Sequence, residues 1–216
     1  MIIPRITKPY EPGLPALGDD LENYLVTAGG SVTLKLEPGD KFKIINLEGL
    51  QQAELVAFNS KGECSLSPLS LKSEHKGELT KKILTSNDES AQIAFSKLKR
   101  LGHEVNSINQ SVLVFSKEAQ ANSIEEFESN DSSICIISAP GETEITHENI
   151  PASELRVIIQ RSRKREEGEF LLPDPLMDPV EEIFVNRYTA MSYEVKEGDF
   201  IQIIDIYGRQ CSDFMA

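Results

Sequence analysis

The sequence predicts an α+β fold dominated by β-structure: an antiparallel, sandwich- or barrel-like sheet with one clear helix at about 87–101. The first reason is periodicity. Short runs from 31–36 to 155–162 alternate apolar with polar residues or concentrate Val and Ile, as strands on a pleated, half-buried surface do. The second is punctuation, since Gly, Pro, Asn and Asp separate those runs. The third is the scarcity of helical spacing, which one stretch carries strongly. A chain of 216 residues suits one large or two small domains at ~150 residues each. It can bury roughly 70% of its unfolded surface, so a core is available.

Each element follows in order. Residues 1–20 contain Pro4, Pro9, Pro12 and Pro15, and proline fixes φ and removes a donor, so an extended arm is expected. Residues 31–36 place Val32, Leu34 and Leu36 on one face of a strand. Pro38-Gly39-Asp40 is a turn. Residues 41–47 and 51–58 read as the two arms of a hairpin about Glu48-Gly49, closed by a turn at 59–62. Ser86 and Glu89 have capping-box spacing, and Ala91, Phe95, Leu98 and Leu101 form the apolar stripe of the helix. Lys97, Lys99 and Arg100 favour its C-terminal end, and Gly102 is placed to cap it. Strands are expected at 111–115, 133–138 and 155–162, which completes a domain over 21–165. A linker at 166–180 carries Pro173 and Pro175, and strand-like runs resume at 182–187, 192–196 and 200–206.

Charge narrows the partners. With 22 Lys and Arg against 35 Asp and Glu, the net charge is −13 and the sequence pI near 4.7. Such a surface repels phosphate backbones and anionic lipid, so neither nucleic acid nor membrane is an expected partner. No apolar run approaches the ~20 residues of a membrane span. Met1-Ile2-Ile3-Pro4-Arg5 lacks the apolar core of a signal peptide. Cys64, Cys135 and Cys211 are odd in number and far apart, which suits free thiols in a reducing cytoplasm.

The most informative feature is an internal repeat. Residues 36–57 recur without a gap at 195–216, a spacing of 159 residues. Gly39, Asp40, Ile44, Ile45, Gly49, Gln51 and Ala57 meet Gly198, Asp199, Ile203, Ile204, Gly208, Gln210 and Ala216. Gly-Asp makes an entry turn, the Ile pair supplies core contacts, and the second Gly permits a positive φ. Gln51 and Gln210 are suited to tying the corner to a neighbouring backbone. The second copy is expected to open a second, related domain at 181–216 that is cut short, since an isolated hairpin is marginal in water.

The pattern Gly-Asp-x-x-x-Ile-Ile-Asp/Asn-x-x-Gly-x-Gln resembles the signature of the urea carboxylase-associated family, a domain of unknown function. The stretch from Pro173 through Phe214 resembles the middle of large bacterial proteins that carry such domains ahead of a glycine-cleavage T-protein-like aminomethyltransferase module. The resemblance implies a non-catalytic or substrate-gating N-terminal domain of a multidomain protein in one-carbon and nitrogen metabolism. It places any tetrahydrofolate in a downstream module, with no cofactor of that kind held by this chain. Some family members act on guanidine-derived compounds, so the competing expectation is a metal-assisted hydrolase or deiminase on a small urea- or guanidine-like molecule. An oligomerisation module is the third, with a second copy or an intramolecular domain as partner.

Candidate chemistry is confined to the second copy. Cys211 and Asp213 lie two apart on an expected strand and so share a face. A thiolate and a carboxylate so placed could hold a divalent metal or serve nucleophilic or acid–base steps. Gln52 and Glu54 occupy those positions in the first copy, which marks it as degenerate. His75, His103 and His147 are too scattered for a zinc motif. Cys64 and Cys135 read as core residues, and Gly29-Gly30 as a turn. The chain by itself is expected to be inactive.

Overall fold

Residues 21–87, 89–140, 153–163, 181–199, 201–204 and 212–215 are described by the computed structural model of the chain. They fall into two units, 21–163 and 181–215. In the first, the strands are β1 (Leu21–Val26), β2 (Ser31–Leu36), β3 (Lys41–Asn46), β4 (Ala53–Phe58), β5 (Val112–Val114), β6 (Ser123–Glu128), β7 (Ser133–Ser138) and β8 (Leu155–Gln160). Between β4 and β5 run α1 (Glu78–Leu84) and α2 (Glu89–Arg100). The expected β-rich α+β class is the observed one.

The strands form two four-stranded antiparallel sheets, ordered β1-β8-β3-β6 and β2-β7-β4-β5. Their inner faces meet in one core. Val26, Phe42, Ile44, Val157 and Ile159 come from the first sheet, and Leu34, Leu36, Leu55, Cys135 and Ile137 from the second. Phe42 stacks on Phe127 with ring centroids 5.0 Å apart. The second sheet is covered on its outer face as well. Val56, Phe58 and Ile136 pack there against Leu84, Ala94, Leu98 and Ile108. This double burial explains why every residue of β4 is buried, whereas the alternation of β3 is that of a strand covered on one side.

Several expectations need correction. Residues 41–47 and 51–58 are not a hairpin: β3 and β4 lie in different sheets, and the segment between them crosses the sandwich. Alternation marks a strand as half-buried but carries no information about its partner. The helix keeps to its expected place, yet its buried face is Ala91, Ala94 and Leu98, while Phe95 is exposed. The side chain of Glu89 is outside the described residues, and so is that half of the expected capping box. Gly102 follows the helix with φ 85°, as a left-handed cap requires. β1, β6 and α1 were not anticipated, because β6 (Ser-Ile-Glu-Glu-Phe-Glu) exposes most of its length and α1 is only two turns long. The arm at 1–20 and the linker at 166–180 lie outside the described residues.

In the second unit, the expected strands at 182–187 and 192–196 are absent, and residues 201–204 are likewise without strand. A strand exists only by hydrogen bonding to another, and an alternating pattern does not supply that partner.

Candidate functional site

The repeat builds three polar constructions in the first unit. The first is the turn from Glu37 to Asp40. Gly39 has φ 84°, the left-handed value that the third residue of a type II turn needs. Asp40 N–H donates to Glu37 O at 3.0 Å, and Glu37 N–H donates back to the Asp40 carboxylate at 2.9 Å. Asp40 is buried. Its carboxylate also accepts Arg161 Nη1 at 2.6 Å and Ser162 N–H at 2.8 Å. Arg161, just past the end of β8, grips Glu22 of β1 bidentately, with Nε at 2.9 Å and Nη2 at 2.8 Å. One guanidinium thus joins a carboxylate of β1 to one in the turn that leads into β3. Burial pushes the Asp40 carboxyl up, but the N–H groups of Glu37 and Ser162 and the guanidinium outweigh it and hold it below its ordinary value. Glu22 behaves alike, with Arg161 and Tyr24 overcoming burial.

The second is the corner after β3. Asn46 accepts Gly49 N–H at 3.0 Å and donates to Gln51 O at 2.7 Å. Gln51 Oε1 accepts Ser153 N–H at 2.8 Å, so the glutamine does tie the corner to a neighbouring backbone. Gly49 has φ 81°, and a Cβ there would sit 2.7 Å from Ala119 O and Ala121 N. Glycine is required here twice over, by its φ and by the close approach of another backbone.

The third surrounds Glu54, on the helix-covered face of β4. Glu54 is buried and accepts Thr80 N–H at 2.6 Å and the Ser111 hydroxyl at 2.8 Å. Ser111 Oγ in turn accepts Gly77 N–H at 2.8 Å. Gly77 is the N-cap of α1 and has no side chain to cap with, so Glu54 and Ser111 satisfy the exposed donors from a distant strand. Thr80 and Ser31 both contact the Ser138 hydroxyl, at 3.0 and 2.7 Å. These groups lock the helix to the sheet.

The sequence-derived candidates of the second copy are described only in part. Cys211, Gly208 and Gln210 lie outside the described residues. Asp213 is exposed in a stretch without strand. Gly198 and Asp199 are described and repeat the geometry of Gly39 and Asp40. Gly198 has φ 92°, Asp199 N–H donates to Lys196 O at 3.0 Å, and Lys196 N–H donates to the Asp199 carboxylate at 2.7 Å. A second pair of turns matches at the same spacing. Gly29 and Tyr188 have φ 73° and 61°, and Gly30 N–H to Thr27 O at 2.8 Å corresponds to Thr189 N–H to Asn186 O at 3.2 Å. The repeat therefore extends back over β1, where Glu22 meets Glu181 and Val26 meets Val185.

Sequence reasoning missed Arg161 and Glu22. The recurrence of the Glu22–Asp40 acid pair as Glu181 and Asp199 was the available signal. His75 is exposed, and the half-buried His103 ring stacks on Phe58 with centroids 4.3 Å apart; burial lowers its pKa. His147 lies outside the described residues. Among the described residues, no three His, Cys, Asp or Glu side chains converge as metal ligands. No helix among them is long and apolar enough to cross a membrane.

No family model matches the chain. Among solved structures it is similar to a DUF1989 family protein from Silicibacter pomeroyi, at a TM-score of 0.44 and 12% identity over 66% of this chain and 80% of that one. Among curated proteins it is 36% identical over 222 aligned residues to trimethylamine-oxide aldolase of Ruegeria pomeroyi. That alignment covers all of this chain and 28% of the relative, so the chain corresponds to a minor part of a much larger protein.

Proposed function

We propose that this chain is a non-catalytic or substrate-gating part of a larger, multidomain protein that acts on a small methylated amine oxide. The observation that carries the reading is the 36% identity to trimethylamine-oxide aldolase along the whole chain, over 28% of that protein's length. Support for a structural role comes from the buried acids. Asp40 is committed to two backbone N–H groups and to the side chains of Arg161 and Ser162, and Glu54 to the Thr80 N–H and the Ser111 hydroxyl. The kinship to the urea carboxylase-associated family belongs to the same proposal, and so does the assignment of tetrahydrofolate binding to sequence outside this chain.

The test compares residues 1–216 with the protein carried through its native downstream sequence, each incubated with trimethylamine oxide. Consumption of the amine oxide by the longer protein alone is the expected result. Turnover by residues 1–216 would overturn the non-catalytic role, and a longer protein indifferent to the amine oxide would overturn the substrate class.

A further inference from the structure

The two sheets differ in what their outer faces carry. The outer face of β2-β7-β4-β5 packs against Leu84, Ala94 and Leu98 of the helices. In β1-β8-β3-β6 the core takes Phe42, Ile44, Val157 and Ile159, so strand alternation turns Lys43, Ile45, Arg156 and Ile158 to the outer face. The ladders set these side chains in rows. Leu25 stands beside Arg156, Arg156 beside Ile45, and Ile45 beside Ile124. That is an apolar row across all four strands, broken by one cation. Its two ends are open, with Leu25 50% and Ile124 48% exposed. The next row sets Ile158 beside Lys43 and Lys43 beside Glu126.

Charge on this face is uneven. Lys41 bridges Glu128 at 3.7 Å, and Lys43 lies opposite Glu126, which leaves the Arg156 guanidinium as the cation in excess. Its Nε is buried and has no hydrogen-bond partner among the described residues, a state that costs free energy until an acceptor arrives. An arginine set among aliphatic side chains is the composition of an interface centre. The chain as a whole carries a net charge of −13. This face has no excess of acid, so it is where a second acidic chain meets the least repulsion.

We propose that the outer face of β1-β8-β3-β6 is a two-fold interface between copies of this chain, in which each copy's Arg156 meets the other's Glu126. Those two positions lie two strands and one row apart. A two-fold axis lying in the face and crossing β3 between Ile45 and Lys43 exchanges them, so one symmetric contact forms both pairs. The same rotation lays Ile45 and Ile124 of one copy against those of the other. Each guanidinium gains a carboxylate acceptor, and the apolar row leaves water. Four strands of six residues offer roughly 400 Å² per copy, the scale of a weak, reversible dimer.

Sedimentation equilibrium of residues 1–216 from ~1 μM to ~1 mM, the span of weak complexes, tests this. A reversible monomer–dimer equilibrium is expected. Arg156→Glu and Glu126→Arg each set like charges face to face and should weaken the dimer ~10-fold or more. The double variant Arg156→Glu/Glu126→Arg restores opposite charges and should recover it. Leu25→Asp, at the open end of the row, reads the apolar part separately and should also weaken association. All four substitutions lie on the outer face, so thermal melts should match that of the parent chain, and any variant that melts early is set aside in favour of the others. A single-chain mass at every concentration overturns the proposal. A dimer that the single charge reversals leave unchanged lies on another face and overturns it too. A double variant no tighter than the singles shows that Arg156 and Glu126 do not meet, with the same consequence.

Discussion

Arg161 and Asp40 meet at 2.6 Å although 121 residues separate them, and the contact closes the sandwich where the turn between β2 and β3 meets the end of its last strand. The side chain of Asp40 is 2% exposed and that of Arg161 21%, so water screens the pair only weakly. Removing the guanidinium leaves the buried Asp40 carboxylate with only the Glu37 and Ser162 N–H groups and the Ser162 hydroxyl to offset its charge. Arg161→Ala should therefore cost about 3 kcal/mol, read as a lower urea midpoint for the cooperative loss of the 21–163 unit.

The same contact sets a pH dependence. Asp40 and Glu22 both have pKa values lowered in the folded state, so near their unfolded values the folded chain binds fewer protons than the unfolded one. Their stabilisation is complete above about pH 4–5, the unfolded carboxyl range, and drains away as pH falls through the lowered folded values. Thermal melts between pH 7 and pH 2.5 should show this acid loss. The double variant Glu22→Gln/Asp40→Asn should start less stable and lose less on acidification. An equally steep acid loss in that variant would assign it to other carboxylates.

Gly49→Ala tests the corner after β3. The new Cβ would meet the backbone at Ala119 and Ala121, and φ is 81°. Neither neighbour is the end of a flexible side chain that could move aside. A loss of about 2 kcal/mol or more is expected. Gly29→Ala is the control: its φ is similarly positive, but nothing lies within 4 Å of the new Cβ, so it should cost about 1 kcal/mol.

Glu54 separates capping from simple burial. Glu54→Ala leaves Thr80 N–H without its partner and Ser111 without its acceptor, and should cost about 3 kcal/mol. Glu54→Gln keeps an oxygen for Thr80 N–H and should cost less. Exchange of the first-turn amides of α1 should accelerate in the alanine variant before the sheets open.

Cys135 should be chemically silent. It lies fully buried in the sandwich core, and burial pushes its thiol pKa up to about 12, so almost no thiolate exists at neutral pH. Alkylation followed by peptide mapping should label Cys135 only as fast as the sandwich unfolds, and faster in urea.

Local patterns in the sequence were enough to place six of the strands and α2, because alternation and helical spacing are written in consecutive residues. They were enough for the turns as well: Gly39 and Gly49 adopt the positive φ that their repeat suggested, and Gln51 reaches a neighbouring backbone. The repeat itself was legible from identities at 159-residue spacing. The division of β3 and β4 between two sheets was not, since a strand's alternation is the same whichever partner it takes. Nor was Arg161, which acquires its role only when β8 is laid beside β1 and brings Glu22 and Asp40 within reach of one guanidinium. Glu54 looked like a degenerate catalytic position beside Gln52, and only the packing of α1 showed it to be a helix cap. Strand identity, turns and kinship between the copies are local or comparative properties, so the sequence by itself determined them. Partnering and the fate of each buried charge depend on segments from 26 to more than a hundred residues apart, and tertiary structure alone decided those.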